Sequence, residues 1–536
     1  MNLIKDPWIP IVRTNGDRER IAPWQITEAA NPVVEIAASR PDFQGALYQF
    51  LIGLLQTVFA PEDETQWQEY WARQPSADKL DAAFAQVSSA FELISPDGPA
   101  FMQDFDMPDG EQKPVAGLLI ESPGKQTIKN NRDHFVKGGV IEGVCPSCVA
   151  TALFTLQTNA PAGGVGHRVG LRGGGPLTTL VMPNSTESTL WQKLWLNVLA
   201  SNKIEVNASF KTEAAFPWMS KTRISDKKGV TTEPGDVSSL QMYWGMPRRL
   251  RVETDDLKEG YCALCGSISP ELLSHYRTKN YGTNYEGPWI HPLTPYRFDS
   301  KKIKPPITLK GQKGGLGYRH WLGLSWQDDS SGDQAATITR QFNNERAECI
   351  AELSGDDESP ARLWCFGYDM DNMKARCWYD HQMPQLNVAK SYQESFIAFV
   401  SQLLLAAKDA VVLLRGQVKD SWFNRPSDVK GDTTMIDHSF WQATEPNFYK
   451  VLHSLAVLPK DTQHMPAEVA ELWVKLLKRM ALELFDEWVL SGHGEDMDMK
   501  RITKARRILR SELSKKKSLK NLDQIASSSR DNEKVA

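Results

Sequence analysis

Two Cys-x-x-Cys pairs, Cys145-Pro-Ser-Cys148 and Cys262-Ala-Leu-Cys265, place four thiols in two short turns. Thiolate sulfur suits zinc, and two such knuckles can close a four-sulfur tetrahedron. With no position left open, the expected Zn2+ is structural rather than catalytic. The long separation of the knuckles leaves other readings open: two unrelated cysteine pairs, or a redox motif, which needs a βαβ setting the sequence does not offer. A second feature is the stretch Gly163 to Gly175, where seven of thirteen residues are glycine and His167, Arg168 and Arg172 are interleaved. No Gly-Lys-Ser/Thr follows, and Val169 stands where a dinucleotide fingerprint needs its third glycine. What remains is a flexible loop with tight turns, or a backbone that approaches a ligand closely with bases nearby for phosphate.

Two further constellations carry charge. Asp369 and Asp371 form an Asp-x-Asp pair, which suits either a metal or a solvated turn. With a nearby histidine it is the basis of one alternative function, a metal-dependent nuclease or hydrolase. Near the C-terminus, Lys500, Arg501, Lys504, Arg506, Arg507, Arg510, Lys515, Lys516, Lys517 and Lys520 stand against one acid, Glu512. That bias goes beyond an ordinary solvated face and implies a phosphate or acidic-protein partner, with solvation as the plainer reading. A zinc-containing helical scaffold that binds an acidic protein is the other alternative. There is no His-Glu-x-x-His, Gly-x-Ser-x-Gly or phosphate-binding lysine loop, which moves the expectation from enzyme towards binding protein.

The elements that must position these residues fall into two textures. Leu3 to Arg13 is extended, with Pro7 and Pro10 pointing to an edge strand and Asn15-Gly16 to a hairpin turn. Leu47, Phe50, Leu51, Leu54, Leu55 and Val58 recur at helical spacing and predict a helix over 42–59. From about 95 to 384 the chain is broken by Gly and Pro, with short strands such as Thr178 to Met182 and long loops. Helical periodicity then takes over near 388–415, 437–458, 466–490 and 498–520, where Pro466 fits a first turn and Pro446 should kink or restart its helix. The fold class is therefore α+β: an irregular mixed α/β N-terminal domain carrying the zinc knuckles (1–384), an antiparallel four-helix bundle (385–521) and a flexible tail (522–536).

A chain of 536 residues with 41% hydrophobic residues is ample for two or three cores. Its net charge of −4 excludes nucleic-acid binding by overall charge, so any such binding needs local patches. No apolar run approaches the roughly 18 residues of a membrane span, and Lys5 and Asp6 stand where a signal peptide would be apolar. The odd count of seven cysteines, with Cys349, Cys365 and Cys377 scattered, is no secreted disulfide framework. A cytoplasmic location is expected.

Several segments together resemble the large subunit of the type I-E CRISPR surveillance complex, Cascade (the CasA family). They are Asp6-Pro-Trp-Ile-Pro10, Pro99-Ala-Phe-Met-Gln103, the two knuckles, Leu171-Arg-Gly-Gly-Gly-Pro-Leu-Thr-Thr179, Gly287-Pro-Trp-Ile-His-Pro-Leu-Thr-Pro295 and the C-terminal helices. Each is weak alone, but they occur in family order along nearly the whole chain. The resemblance implies a prokaryotic, non-catalytic protein that recognises the protospacer-adjacent motif (PAM) in duplex DNA and promotes R-loop formation. It also implies partnership with guide RNA, the other Cascade subunits and the helicase-nuclease. Carried over by position, the PAM-reading loop falls on Gly163, Gly164 and Gly166, with Arg168 alongside. The minor-groove lysine falls on Lys279 or Asn280, and the wedge on Asp371, Asn372, Met373 and Lys374. Phe135, Val136 and Lys137 match a loop near the guide RNA 5′ end, and Arg506, Arg507 and Arg510 give a basic face for DNA phosphate or a partner.

Overall fold

The computed structural model describes residues 1–105, 107, 109–124, 128–130, 139–204, 212–301, 303–311, 314–354, 361–371, 373–428, 431–491 and 497–533. The chain divides into two compact units, one of residues 1–311, 336–342 and 363–382, the other of 312–335, 343–362 and 383–536. This differs from a single cut after residue 384, because the second unit recruits segments from the middle of the chain. The physical reason is aromatic packing. Tyr318 stacks on Phe448 with ring centroids 4.4 Å apart, and Trp321 meets Phe396 at 6.1 Å.

In the first unit, the helix Pro41–Val58 is buried almost all round. Phe50 at its middle makes edge-on contacts with Trp8, Phe91, Phe101, Phe154 and Trp244, at centroid distances from 5.2 to 5.9 Å. Such pairs each add about 0.5–1.5 kcal/mol beyond burial. The expected hairpin forms from Ile9–Arg13 and Arg18–Ile21, with Gly16 at φ +90° in the turn. Contrary to expectation, Ile9–Arg13 is the central strand of its sheet, between Arg18–Ile21 and Val33–Ile36. Pro10 lacks only a donor, and its carbonyl still accepts from Ala37 N–H at 2.8 Å. A second sheet orders Glu111–Pro114, His275–Lys279 and Arg249–Val252, and a two-stranded ribbon pairs Lys258–Tyr261 with Ile268–Leu272.

The largest hairpin, Ala361–Asp371 with Lys374–Gln385, packs its first strand between the second and Thr178–Pro183. The first of these strands is buried along nearly its whole length, so no polar alternation marks it in the sequence.

In the second unit the four expected helices are Gln393–Trp422, Thr434–Ala456, Ala467–Leu490 and Met499–Lys515. Pro446 sits inside an unbroken helix, not at a restart. Buried Phe440, Thr444, Phe448 and Leu452 hold both sides of it in the core, and packing outweighs the lost hydrogen bond. Helix Gln393–Trp422 is long and apolar enough to cross a membrane, which the sequence reading did not anticipate. Its apolar stripe of Phe396, Val400, Leu403, Ala407, Val411 and Leu414 is buried in the unit. Residues Lys517–Glu533 form a fifth helix where a tail was expected from 522. Leu519, Leu522 and Ala526 are buried, and Lys478 pairs with Asp523.

Candidate metal centre and nucleic-acid interface

Cys145 caps the helix Pro146–Asn159, with Pro146 in its first turn, and Cys148 lies one turn in. Cys262 and Cys265 form the turn of the ribbon Lys258–Tyr261/Ile268–Leu272. Although Cys145 and Cys262 are 117 positions apart, a main-chain bridge joins the knuckles. Val144 and Leu273 exchange hydrogen bonds of 3.0 and 2.9 Å, and Ala263 N–H donates to the Gly143 carbonyl at 2.9 Å. All four sulfurs lie within 4.8 Å of one another, and Cys145 Sγ is 3.8 Å from Cys265 Sγ. A tetrahedron with metal–sulfur bonds of about 2.3 Å has edges near 3.8 Å, so the cluster could hold a metal ion.

The thiols are unequal. Hydrogen bonds with Cys145 and Cys148 lower the pKa of Cys262, while Cys148 is pushed up by its bonds to Cys145, Cys262 and Cys265. Four thiolates this close require a cation to ionise together, which is the condition metal binding meets by displacing protons.

The glycine loop is a tight turn, with Gly163 bridging to His167 and Gly164 and Gly166 in the left-handed region at φ +61° and +76°. The two left-handed glycines differ. A Cβ on Gly166 would lie 2.9 Å from Asn280 Cβ and Tyr281 Cδ1, so this glycine is required by internal packing. A Cβ on Gly164 would meet nothing closer than 4.0 Å, and the residue is exposed. Gly163 faces Arg248, whose nitrogens lie 3.6 Å or more from such a Cβ. Tyr281 N–H donates to the Gly166 carbonyl at 2.8 Å, and Tyr281 itself has φ +64°. A tyrosine held in that region is strained by its surroundings, a signal absent from the sequence. Lys279 is exposed at the end of its strand, and Asn280 is half-buried against Gly166.

Two arginines of the loop turn inward. Arg168 donates to Ser225 Oγ at 2.7 Å and to the Ser225 carbonyl at 2.6 Å. Arg172 is buried and donates to Gln49, Thr178 and Thr294 at 2.5, 3.1 and 2.9 Å, and its burial lowers its pKa to about 10. Both fasten the loop.

The hairpin Ala361–Asp371/Lys374–Gln385 carries Met373 and Lys374 exposed at its tip. Gly164 N–H donates to Met373 Sδ at 3.2 Å, across 209 positions of sequence. The structure thus brings glycine loop and hairpin tip together. Asn372 lies outside the described residues, as do Phe135, Val136 and Lys137. Asp369 is buried and receives a two-pronged bond from Arg376, at 2.9 and 2.6 Å, plus Tyr379 Oη–H at 3.1 Å. Arg376 also reaches Asp371 at 3.8 Å. Asp369 is thus committed to Arg376, with Asp371 near the same guanidinium. Among the described residues the four cysteines are the one group of three or more ligand side chains close enough to share a metal.

The basic helix buries Ile502, Ala505, Leu509 and Leu513 and exposes its bases except Arg501, which is half-buried and donates to the Ser421 carbonyl at 2.8 Å. Arg506 is held by Asp486 through two bonds of 2.7 Å. Arg507 and Arg510 are exposed and make no ion pair among the described residues.

An irregular α/β unit with a four-cysteine cluster, in one chain with a unit of packed helices, defines the class of protein. The family model described as CRISPR-associated protein Cse1 matches residues 2–484, and the chain belongs to this family. It is the family of the type I-E large subunit that the ordered motifs resemble. Solved structures agree in fold. Thermus thermophilus CasA (Cse1) has 16% identity and a TM-score of 0.66, over 96% of this chain and 99% of that one. Thermobifida fusca Cse1 has 16% identity and a TM-score of 0.66, over 97% of this chain and 98% of that one. A chain of a CRISPR RNA-guided surveillance complex has 15% identity and a TM-score of 0.67, over 96% and 99%.

Proposed function

We propose that this protein is the non-catalytic large subunit of a prokaryotic, cytoplasmic type I-E surveillance complex, recognising the PAM in duplex DNA and starting strand separation. Guide RNA and the other Cascade subunits are its assembly partners, and it recruits the helicase-nuclease. The observation that carries the reading is the contact of Gly164 with Met373, because it puts the two expected DNA-reading segments at one exposed place. Gly164 leaves space for a minor-groove edge, where any side chain would intrude, while Gly163 beside it faces Arg248. Met373 is the apolar group available to press between base steps, and Lys279 and Lys374 are exposed bases for the flanking phosphates. Base pairing with guide RNA reads the rest of the target.

The four cysteines hold zinc as a structural cross-link. Bound zinc joins the helix Pro146–Asn159, which leads into the glycine loop, to the ribbon that leads into Lys279 and Asn280.

The test uses the assembled complex on fully paired DNA and on DNA already unpaired beside the PAM. A Met373→Ala, Lys374→Ala double variant should assemble normally and open paired DNA poorly, and the pre-opened target should rescue it. The step it would otherwise help offset costs roughly a few kcal/mol. Gly164→Asp adds bulk and negative charge at the groove, and pre-opening should rescue it far less. Equal rescue of both, or no defect in either, overturns the assignment.

A further inference from the structure

The cysteine cluster has a neighbour that no motif marks. Arg20 lies on the strand Arg18–Ile21, opposite Pro10, and is 127 positions from Ser147 and 245 from Cys265. Its Nη2 approaches Cys265 Sγ at 3.5 Å and Ser267 Oγ at 3.3 Å, and its Nη1 approaches Ser147 Oγ at 3.5 Å. Ser147 stands between the two cysteines of one knuckle, and Ser267 follows Cys265 in the other. One guanidinium therefore touches both knuckles and one sulfur directly. Arg20 makes no ion pair with a carboxylate among the described residues, while its neighbour Glu19 is taken by Arg13. A cavity of about 480 Å³ lies against the same group, lined by Arg18, Arg20, Ser147, Cys148, Cys265 and Ser267.

Four thiolates around a divalent cation leave two net negative charges. Donors aimed at the sulfurs offset that charge, and the Cys145 N–H to Cys262 Sγ contact of 3.3 Å is one such donor. An arginine brings a full positive charge and a planar fork that meets three acceptors at once, which a lysine cannot match. Cys265 is the half-buried member of the cluster, so it is the sulfur most in need of cover.

We propose that Arg20 is a positioning residue for the metal centre: it offsets the charge of the four-thiolate site and fastens the N-terminal hairpin to both knuckles. The proposal rests on the zinc reading above.

The experiment takes the full-length zinc-loaded protein and compares wild type with Arg20→Met, Arg20→Lys and Arg18→Met. Zinc transfer to a colorimetric chelator is timed, and the sulfur-to-metal charge-transfer band is recorded after cobalt substitution. Arg20→Met should release zinc about tenfold faster or more, in line with the loss of an outer-shell donor, and its cobalt band should shift. Arg20→Lys keeps the charge and should fall between, and it keeps the test open should Arg20→Met fail to fold. Arg18→Met, on the same strand and cavity, should match wild type. Release rates and bands unchanged at position 20, with equal loss of melting temperature in zinc-free and zinc-loaded protein, would show a merely structural arginine and overturn the proposal. A wild-type protein that takes up no zinc overturns the zinc reading and this proposal with it, whereas bound zinc with unchanged release overturns this proposal alone.

Discussion

The cysteine cluster and the junction of glycine loop and hairpin tip are both built from segments far apart in the chain, by opposite means. At the cluster, reciprocal main-chain bonds between Val144 and Leu273 bring the knuckles together, and three of the four cysteines are buried. At the junction, one weak sulfur acceptor spans the gap, and Gly164 and Met373 are both exposed. The first arrangement is enclosed and held by several bonds, and the second is open and held by one. A buried set of four thiols could share one bound cation, while an exposed donor left with a soft partner stays open to a stronger acceptor.

Cluster substitutions should produce the largest effects. Replacing Cys262 with serine should remove zinc and destabilise the first unit by more than about 4 kcal/mol. Elemental analysis and thermal melting check this, and wild type should carry about one zinc per chain. A serine variant that keeps both metal and stability would erase the contrast between the two regions.

The two left-handed glycines sharpen the comparison inside the loop. Alanine at either position bears the left-handed backbone cost of about 1–2 kcal/mol. Gly166→Ala also drives a Cβ into Asn280 and Tyr281, adding about 1–3 kcal/mol of overpacking. Denaturant unfolding should therefore rank Gly166→Ala below Gly164→Ala in stability, with DNA binding in the reverse relation to folding: Gly164→Asp should bind worse than its stability explains.

His167 gives a smaller, pH-dependent effect. Burial, then Arg248 and Lys113, lowers its pKa from 6.5 to about 4. Because the folded value is the lower one, the unfolded chain binds the additional proton between those values. This contribution to stability is present above about 6.5 and is lost as pH falls towards 4. Melting temperature should drop with acidification in that window, and His167→Gln should flatten that slope.

The smallest effects belong to the basic helix. Arg506 is tied to Asp486, an exposed pair worth about 0.2–1 kcal/mol. Charge reversal at Arg507 and Arg510 should leave stability alone and reduce the salt dependence of target binding, while reversal at Arg506 should act mainly through its lost pair. Salt slopes unchanged from wild type in all three variants would assign the whole face to solvation.

The sequence by itself determined much here. The periodicity of Leu47 to Val58 and of Phe396 to Leu414 named the core helices, because a helix that buries one stripe must repeat at its own pitch. The two knuckles and the glycine loop were legible because cysteine pairs and clustered glycines have few structural uses. Tertiary structure alone decided the rest. The knuckles meet because Val144 pairs with Leu273, and the chain crosses between units because Tyr318 and Trp321 find aromatic partners beyond residue 390. The strands of the hairpin Ala361–Asp371/Lys374–Gln385 were hidden from periodicity, and only the resemblance put a wedge at its tip, because burial on both faces of the first strand leaves no alternation to read. The same holds for the site. Asp369 is neutralised by Arg376, Arg168 turns to Ser225, and Tyr281 is forced into a left-handed backbone against Gly166. Local spacing shows which groups are present. Contacts between distant segments decide which of them are already satisfied, and so which remain for a ligand.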